Sequence, residues 1–270
     1  MEKSAGSYDF GGIEGTGSEL YRLEEQALAA IDLERALWSR AGLRKDMRVL
    51  DLACGPGVIS RELARVASSG EVIGIDLSDE LLKVANELNR QEGTGNLSFR
   101  KGDVYELDVE ESSIDFIYTR FFFQHLQYPE KALENIARAL KPGGILCITD
   151  IDDGFLSLYP EPAFFAPFIQ KAAEWQEAQG GDRYIGRKLG FYLEGAKMEE
   201  VAVDAFTVSS AEMGLEKFLD IAVGFRKDQM LDANAYTIEK ELTDIYAVLD
   251  EPKTRGFLSI FTAVAKKPHA

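Results

Sequence analysis

The chain has 270 residues, 46% of them hydrophobic, and a net charge of −16. That length and apolar content suit one α/β domain with a full core. A negative surface of this size repels nucleic-acid phosphates and anionic lipid, so neither is an expected partner. Two cysteines, Cys54 and Cys147, make no disulfide framework and fit a reducing cytoplasm. The opening Met1–Ser7 lacks the charged-then-apolar order of a signal peptide, and no apolar run reaches the roughly 18 residues of a bilayer span. A soluble, cytoplasmic protein is expected, as a monomer or a homodimer.

The N-terminal region, 1–45, opens on a capping-box signature, Thr16-Gly17-Ser18-Glu19, followed by Leu20, Leu23, Ala27 and Ile31 at helical spacing. The region 46–150 then alternates strand and helix signals, the pattern of a parallel sheet with crossover helices. Its predicted strands are Arg48–Ala53, Glu71–Asp76, Leu97–Lys101, Ile114–Tyr118 and Ile145–Thr149. Ser78 suits an N-cap, with Asp79 and Glu80 in the first turn and Leu81, Leu82, Ala85 and Leu88 as the apolar stripe. Pro129 opens a helix whose Leu133, Ile136, Ala137 and Leu140 share a face, and Pro142-Gly143-Gly144 stops it. The region 151–270 starts with an aromatic stretch from Asp152 to Tyr184. It continues through a strand-like Val201–Val208 and two helices, and ends in Phe257–Val264, read as an edge-side strand of the same sheet. The whole chain, 1–270, reads as a single domain: a Rossmann-like, doubly wound, mostly parallel seven-stranded sheet with helices added at both ends. Ligands of such sheets bind beyond the carboxyl ends of the strands, at the switch point.

The chemistry concentrates in Asp51-Leu52-Ala53-Cys54-Gly55-Pro56-Gly57. Gly55 and Gly57 follow a strand and precede a helix, where the backbone turns sharply and approaches a ligand closely. A dinucleotide fingerprint wants a third small residue at 60, which Ser60 meets only in part. Asp51 is poor company for a pyrophosphate and good company for an ammonium or sulfonium group. Asp76 lies near the roughly 20-residue offset of a ribose-binding acid, and Asp103, after Gly102, can accept from an adenine amino group.

Four segments together resemble the class I S-adenosylmethionine-dependent methyltransferases, in the type 11 or UbiE-like small-molecule group. Val49–Gly57 looks like their motif I, Gly74-Ile75-Asp76-Leu77-Ser78 like the ribose motif, and Gly102-Asp103-Val104 like the adenine-side motif. Ala139–Gly144 resembles the late signature before strand five, and the match spans about 46–150 in order and spacing. The resemblance implies bound S-adenosyl-L-methionine, with S-adenosyl-L-homocysteine as product and a small organic molecule as acceptor. By position, Asp51, Ala53, Gly55 and Gly57 would line the methionine end. Asp76 and Leu77 would hold ribose and adenine, Asp103 and Val104 would meet the adenine ring, and Arg120 would face the methionyl part. Leu107-Asp108-Val109 departs from the Leu-Pro-Phe turn of many relatives. Glu19, Arg22 and Gln26 match a helix of some relatives; a solvated stripe is the competing reading to a lid in which Arg22 and Gln26 reach the cofactor carboxylate.

Methyl transfer is an in-line displacement that needs a base only where the acceptor loses a proton. His125, after Phe121-Phe122-Phe123-Gln124, is the candidate base, because His269 falls in a tail read as frayed. Asp152, Asp153 and Tyr159 could polarise an acceptor. The histidines and cysteines have no metal-ligand spacing, and Asp150, Asp152 and Asp153 only hint at a magnesium cluster. Phe155, Tyr159, Phe164, Phe165, Phe168 and Trp175 form either the acceptor pocket or the packing of the added helices. Non-methylating use of the same cofactor, and a nicotinamide oxidoreductase, are the alternative activities.

Overall fold

The computed structural model describes residues 31–269. Arg22 and Gln26 lie outside the described residues, as does all of the N-terminal helix reading before Ile31. The first described helix, α1 (Ile31–Ala41), buries Trp38 edge-on against Tyr118, with ring centroids 5.3 Å apart. Strand β1 (Arg48–Leu52) leads through the glycine turn into α2 (Val58–Val66). Then come β2 (Glu71–Asp76), α3 (Asp79–Glu92) and β3 (Leu97–Lys101). Ser78 caps α3 by accepting from Leu81 N at 3.3 Å, as its sequence signal requires, and Gly93, which the sequence reading did not single out, closes it with φ 71°.

Strand β4 (Ile114–Arg120) runs two residues further than its apolar pattern, and α4 (Pro129–Ala139) follows. Leu140 is not the last residue of that helix, as expected, but the first of β5 (Leu140–Ile151), paired with Ile114. The register then slips between Ile114 and Phe116, so Pro142-Gly143-Gly144 forms an irregularity within the strand. Beyond it lie β6 (Ser157–Tyr159), α5 (Phe165–Ala178), α6 (Leu189–Gly195) and β7 (Glu199–Ser209). The short helices α7 (Ser210–Met213) and α8 (Leu215–Leu219) lead to α9 (Phe225–Tyr246) and to β8 (Arg255–Lys266).

The sheet has eight strands in the order β3-β2-β1-β4-β5-β8-β6, with β7 on the other edge of β8. The first five strands are parallel and β8 is antiparallel to β5, β6 and β7. Seven strands therefore build the doubly wound body, and the three-residue β6 extends it. The terminal strand is not edge-side: β8 is flanked by β5 and β7, so it is an interior strand. On one face Leu52, Ile75, Ile117 and Ile148 pack with α4 and α6, while on the other Val49, Val72, Phe116 and Cys147 pack with α1 and α2. A third cluster joins α5, α8 and α9 around Phe168 and Phe218. The winding reverses between β1 and β4, which opens the crevice at their carboxyl ends.

Candidate functional site

The turn after β1 is held in a left-handed backbone at Ala53 (φ 62°), Gly55 (φ 54°) and Gly57 (φ 75°). A Cβ at Gly57 would lie 2.5 Å from Phe99 Cζ, so only glycine brings the turn this close to β3. A Cβ at Gly55 would meet no atom within 4 Å, so that backbone faces open space at the crevice. Across the crevice, Phe121 at the exit of β4 also has positive φ, 51°, a costly conformation for a bulky residue. Ala53 and Phe121 thus place strain on both sides of the switch point, where such strain tends to serve a ligand.

Asp76 braces this turn. One carboxylate oxygen accepts from Gly55 N at 2.8 Å and the other from Ser78 N at 2.9 Å. Burial raises its pKa and these backbone donors pull it back. Each oxygen keeps a second lone pair, so the acid can hold the turn and accept from ribose hydroxyls together. Leu77 beside it is 44% exposed, an apolar side chain displayed at the lip. Asp103 accepts from Tyr105 N at 2.8 Å, capping a short 3-10 turn, Val104–Glu106. The Val104 side chain is 5% exposed and packs in the core with Ile75 and Leu107, so its side of any adenine contact is the backbone.

Asp51 is 2% exposed at the end of β1 and accepts from Ser60 Oγ at 2.5 Å. Ser60, a poor match to a dinucleotide fingerprint, is thus the partner of this acid. Arg120 ends β4 one strand away, its Nε 2.5 Å from Glu34 Oε1 and its guanidinium 4.2 Å over the Phe121 ring. The carboxylate that Arg120 meets here belongs to α1 of the chain itself. Glu34 carried no readable signal in the sequence; it is one of two acids, with Asp32, in the first turn of a short helix.

His125 closes a 3-10 turn just past β4 (Phe123–His125) and is 9% exposed, sheltered rather than displayed. Asp152 and Asp153 are buried and ion-paired. Arg187 holds Asp152 through Nε at 2.6 Å and Nη2 at 2.5 Å. Arg183 holds Asp153 through Nε at 2.9 Å and Nη2 at 3.0 Å, and Arg226 adds Nη2 at 2.6 Å. The segment Gly181–Arg187, which carried no chemistry in the sequence, is therefore a clamp of arginines on two buried acids. Asp150 accepts from Ile151 N and Gln124 N, and burial pushes its carboxyl up to about 7. Among the described residues no group of three acids, histidines or cysteines is arranged for a metal. Phe165 and Phe168 are core residues, whereas Phe155 and Tyr159 are 49% and 78% exposed. His269 lies against Gly143, held there by the pairing of Lys267 with Gly143 and Gly144.

A glycine turn braced by a strand-end acid at the switch point of a doubly wound sheet defines a nucleoside-cofactor-binding α/β protein. A family model described as "Methyltransferase domain" matches residues 43–200, and the chain belongs to that family, the class I S-adenosylmethionine-dependent methyltransferases. An uncharacterised methyltransferase of Schizosaccharomyces pombe is 38% identical over 161 residues, 57% of this chain and 58% of its own. This chain therefore spans little more than half the length of that relative. The demethylmenaquinone methyltransferase of Staphylococcus aureus is 30% identical over 187 residues, 64% of this chain and 77% of its own. Among solved structures, a SAM-dependent methyltransferase of Aquifex aeolicus superposes with TM-score 0.54 at 25% identity, covering 74% of this chain and 92% of that one. No helix among the described residues is long and apolar enough to cross a membrane.

Proposed function

We propose that this chain transfers the methyl group of S-adenosylmethionine to a small organic acceptor. The observation that carries the reading is the braced turn: Asp76 holds Gly55 at 2.8 Å while Gly55 opens on the crevice between β1 and β4. The residues present fit the cofactor in kind. Asp76 would hold the ribose, Leu77 and the Asp103 turn the adenine, and Asp51 and Arg120 the charged amino-acid end. The bound cofactor supplies an electrophilic methyl group on a sulfonium.

The protein's part is then positioning. The strained backbones at Ala53 and Phe121 fix the two walls of the crevice, and an acceptor held in line needs little further assistance. His125, next to that wall, is the candidate base for acceptors that lose a proton. The ion-paired Asp152 and Asp153 build the acceptor side rather than react.

Calorimetric titration with S-adenosylhomocysteine tests the cofactor part. Micromolar or tighter binding is expected, weakened at least tenfold, about 1.4 kcal/mol, by Asp76→Ala. Label transfer from methyl-labelled cofactor to a panel of small acceptors tests the rest. A demethylated quinone heads that panel, because a relative is named as a demethylmenaquinone methyltransferase. A native chain that binds no S-adenosylhomocysteine would sink the reading.

A further inference from the structure

Glu34 is 1% exposed, and a carboxylate that deep persists only where charge and hydrogen bonds compensate it. Its Oε1 meets Arg120 Nε at 2.5 Å and its Oε2 accepts from the Tyr118 hydroxyl at 2.9 Å. That hydroxyl also lies 2.9 Å from Thr149 Oγ1. Tyr118 has one proton to give and Glu34 is an acceptor only, so Thr149 donates to Tyr118 and Tyr118 to Glu34. Burial and the Glu34 charge push the Tyr118 phenol up, which keeps that proton in place.

This relay joins α1, β4 and β5 at the carboxyl ends of the strands. Arg120 pairs with Thr149 across the β4–β5 ladder, and Phe121 N donates to Thr149 O at 2.8 Å. The strained exit of β4, the guanidinium and the buried acid of α1 are therefore one rigid unit on the wall of the crevice. A buried ion pair adds little net stability over apolar packing, so stability alone is a weak reason for it to sit here. Its charges match the amino-acid end of the cofactor, a carboxylate and an ammonium on one carbon. Arg120 offers the cation and Asp51 the carboxyl, while Glu34, its two oxygens committed to Arg120 and Tyr118, holds the guanidinium in place.

We propose that Glu34 is a positioning residue for the amino-acid end of the cofactor: it fixes the Arg120 guanidinium at the crevice and holds α1 against that end. The inference rests on the cofactor reading above. It distinguishes two ligands that share the nucleoside and the thioether. S-adenosylhomocysteine carries the amino-acid end, whereas 5′-deoxy-5′-methylthioadenosine ends in a methyl group.

The test is calorimetric titration of the full chain and its Glu34→Gln variant with both ligands. Glu34→Gln is expected to weaken S-adenosylhomocysteine at least tenfold and to leave methylthioadenosine within twofold. Tyr118→Phe, which removes one hydroxyl of the relay, is expected to give the same selective loss at smaller size. It decides the matter alone if Glu34→Gln does not fold. Equal losses for both ligands mark a purely structural residue and overturn the inference, as does no loss for either. A native chain that binds neither ligand overturns the cofactor reading itself, whereas one that binds both while the variants lose no selectivity overturns only the role of Glu34.

Discussion

At the end of β1, burial pushes the Asp51 carboxyl up to about 7. The Ser60 hydrogen bond pulls it back, Asp76 and Glu34 add to the rise, and Arg120 opposes it. Two consequences follow with definite sign. A carboxyl raised by the fold contributes stability that is fully present below its unfolded value and is lost as pH rises toward 7. A cationic ligand favours the ionised acid, so below pH 7 binding S-adenosylmethionine releases a proton, and affinity climbs by at most tenfold per unit as pH rises toward about 7 and levels off above it. Asp51→Asn should flatten that climb. Titrations in two buffers of different ionisation enthalpy count the proton; if the variant keeps the full slope, Asp51 is not its source. Of the residues around this acid, Gly55 and Gly57 were legible as a turn because glycines between a strand and a helix mark a sharp bend. Ser60 and Glu34 were not, since their role exists only once β1, α1 and α2 meet.

Among the elements, the segment after β5 shows how burial decides what a charge is worth. Asp153 is inaccessible and held by Arg183 and Arg226, each with 4% side-chain exposure. The two guanidinium groups lower its pKa despite the desolvation that raises it. Asp153→Ala would strand both cations inside the protein, at about 3–5 kcal/mol. Asp152→Ala removes a partner from Arg187, whose side chain is 48% exposed and can return to water. The loss there is smaller, about 1–2 kcal/mol, mostly from the Gly154 and Arg187 backbone donors left behind. Urea unfolding of the two variants reads the difference, and equal losses would refute the burial argument. The sequence showed the acids, with Arg183 and Arg187 30 and 35 residues later and Arg226 73 residues later, but pairing across those gaps depends on α5 and the helices after it folding between them. Local signals gave the start of α3 and the bounds of β3 well for the converse reason: caps and alternation act within a few residues.

For the molecule as a whole, the decisive element is the last one. β8 pairs along Ile145–Ile151 with β5 and along Glu199–Ser209 with β7, so the chain's final strand closes the interior of the sheet. Its apolar run promised a strand, yet periodicity cannot say which neighbours a strand will find more than a hundred residues away, and the edge placement expected for it failed there. Ile260, Ala263 and Ala265 are buried at 5%, 0% and 0%. Deleting 255–270 would expose the β5 edge, release β7 from its only ladder among the described residues, and open apolar surface on both faces. That truncated chain is expected to lose cooperative unfolding and to bind a hydrophobic dye in buffer. Ending the chain after Lys267 keeps β8 and the Lys267 bonds to Gly143 and Gly144, and should leave the transition sharp. A sharp thermal transition in the longer deletion would mean that the five parallel strands fold by themselves, and that β8 is an addition to the sheet rather than a condition of it.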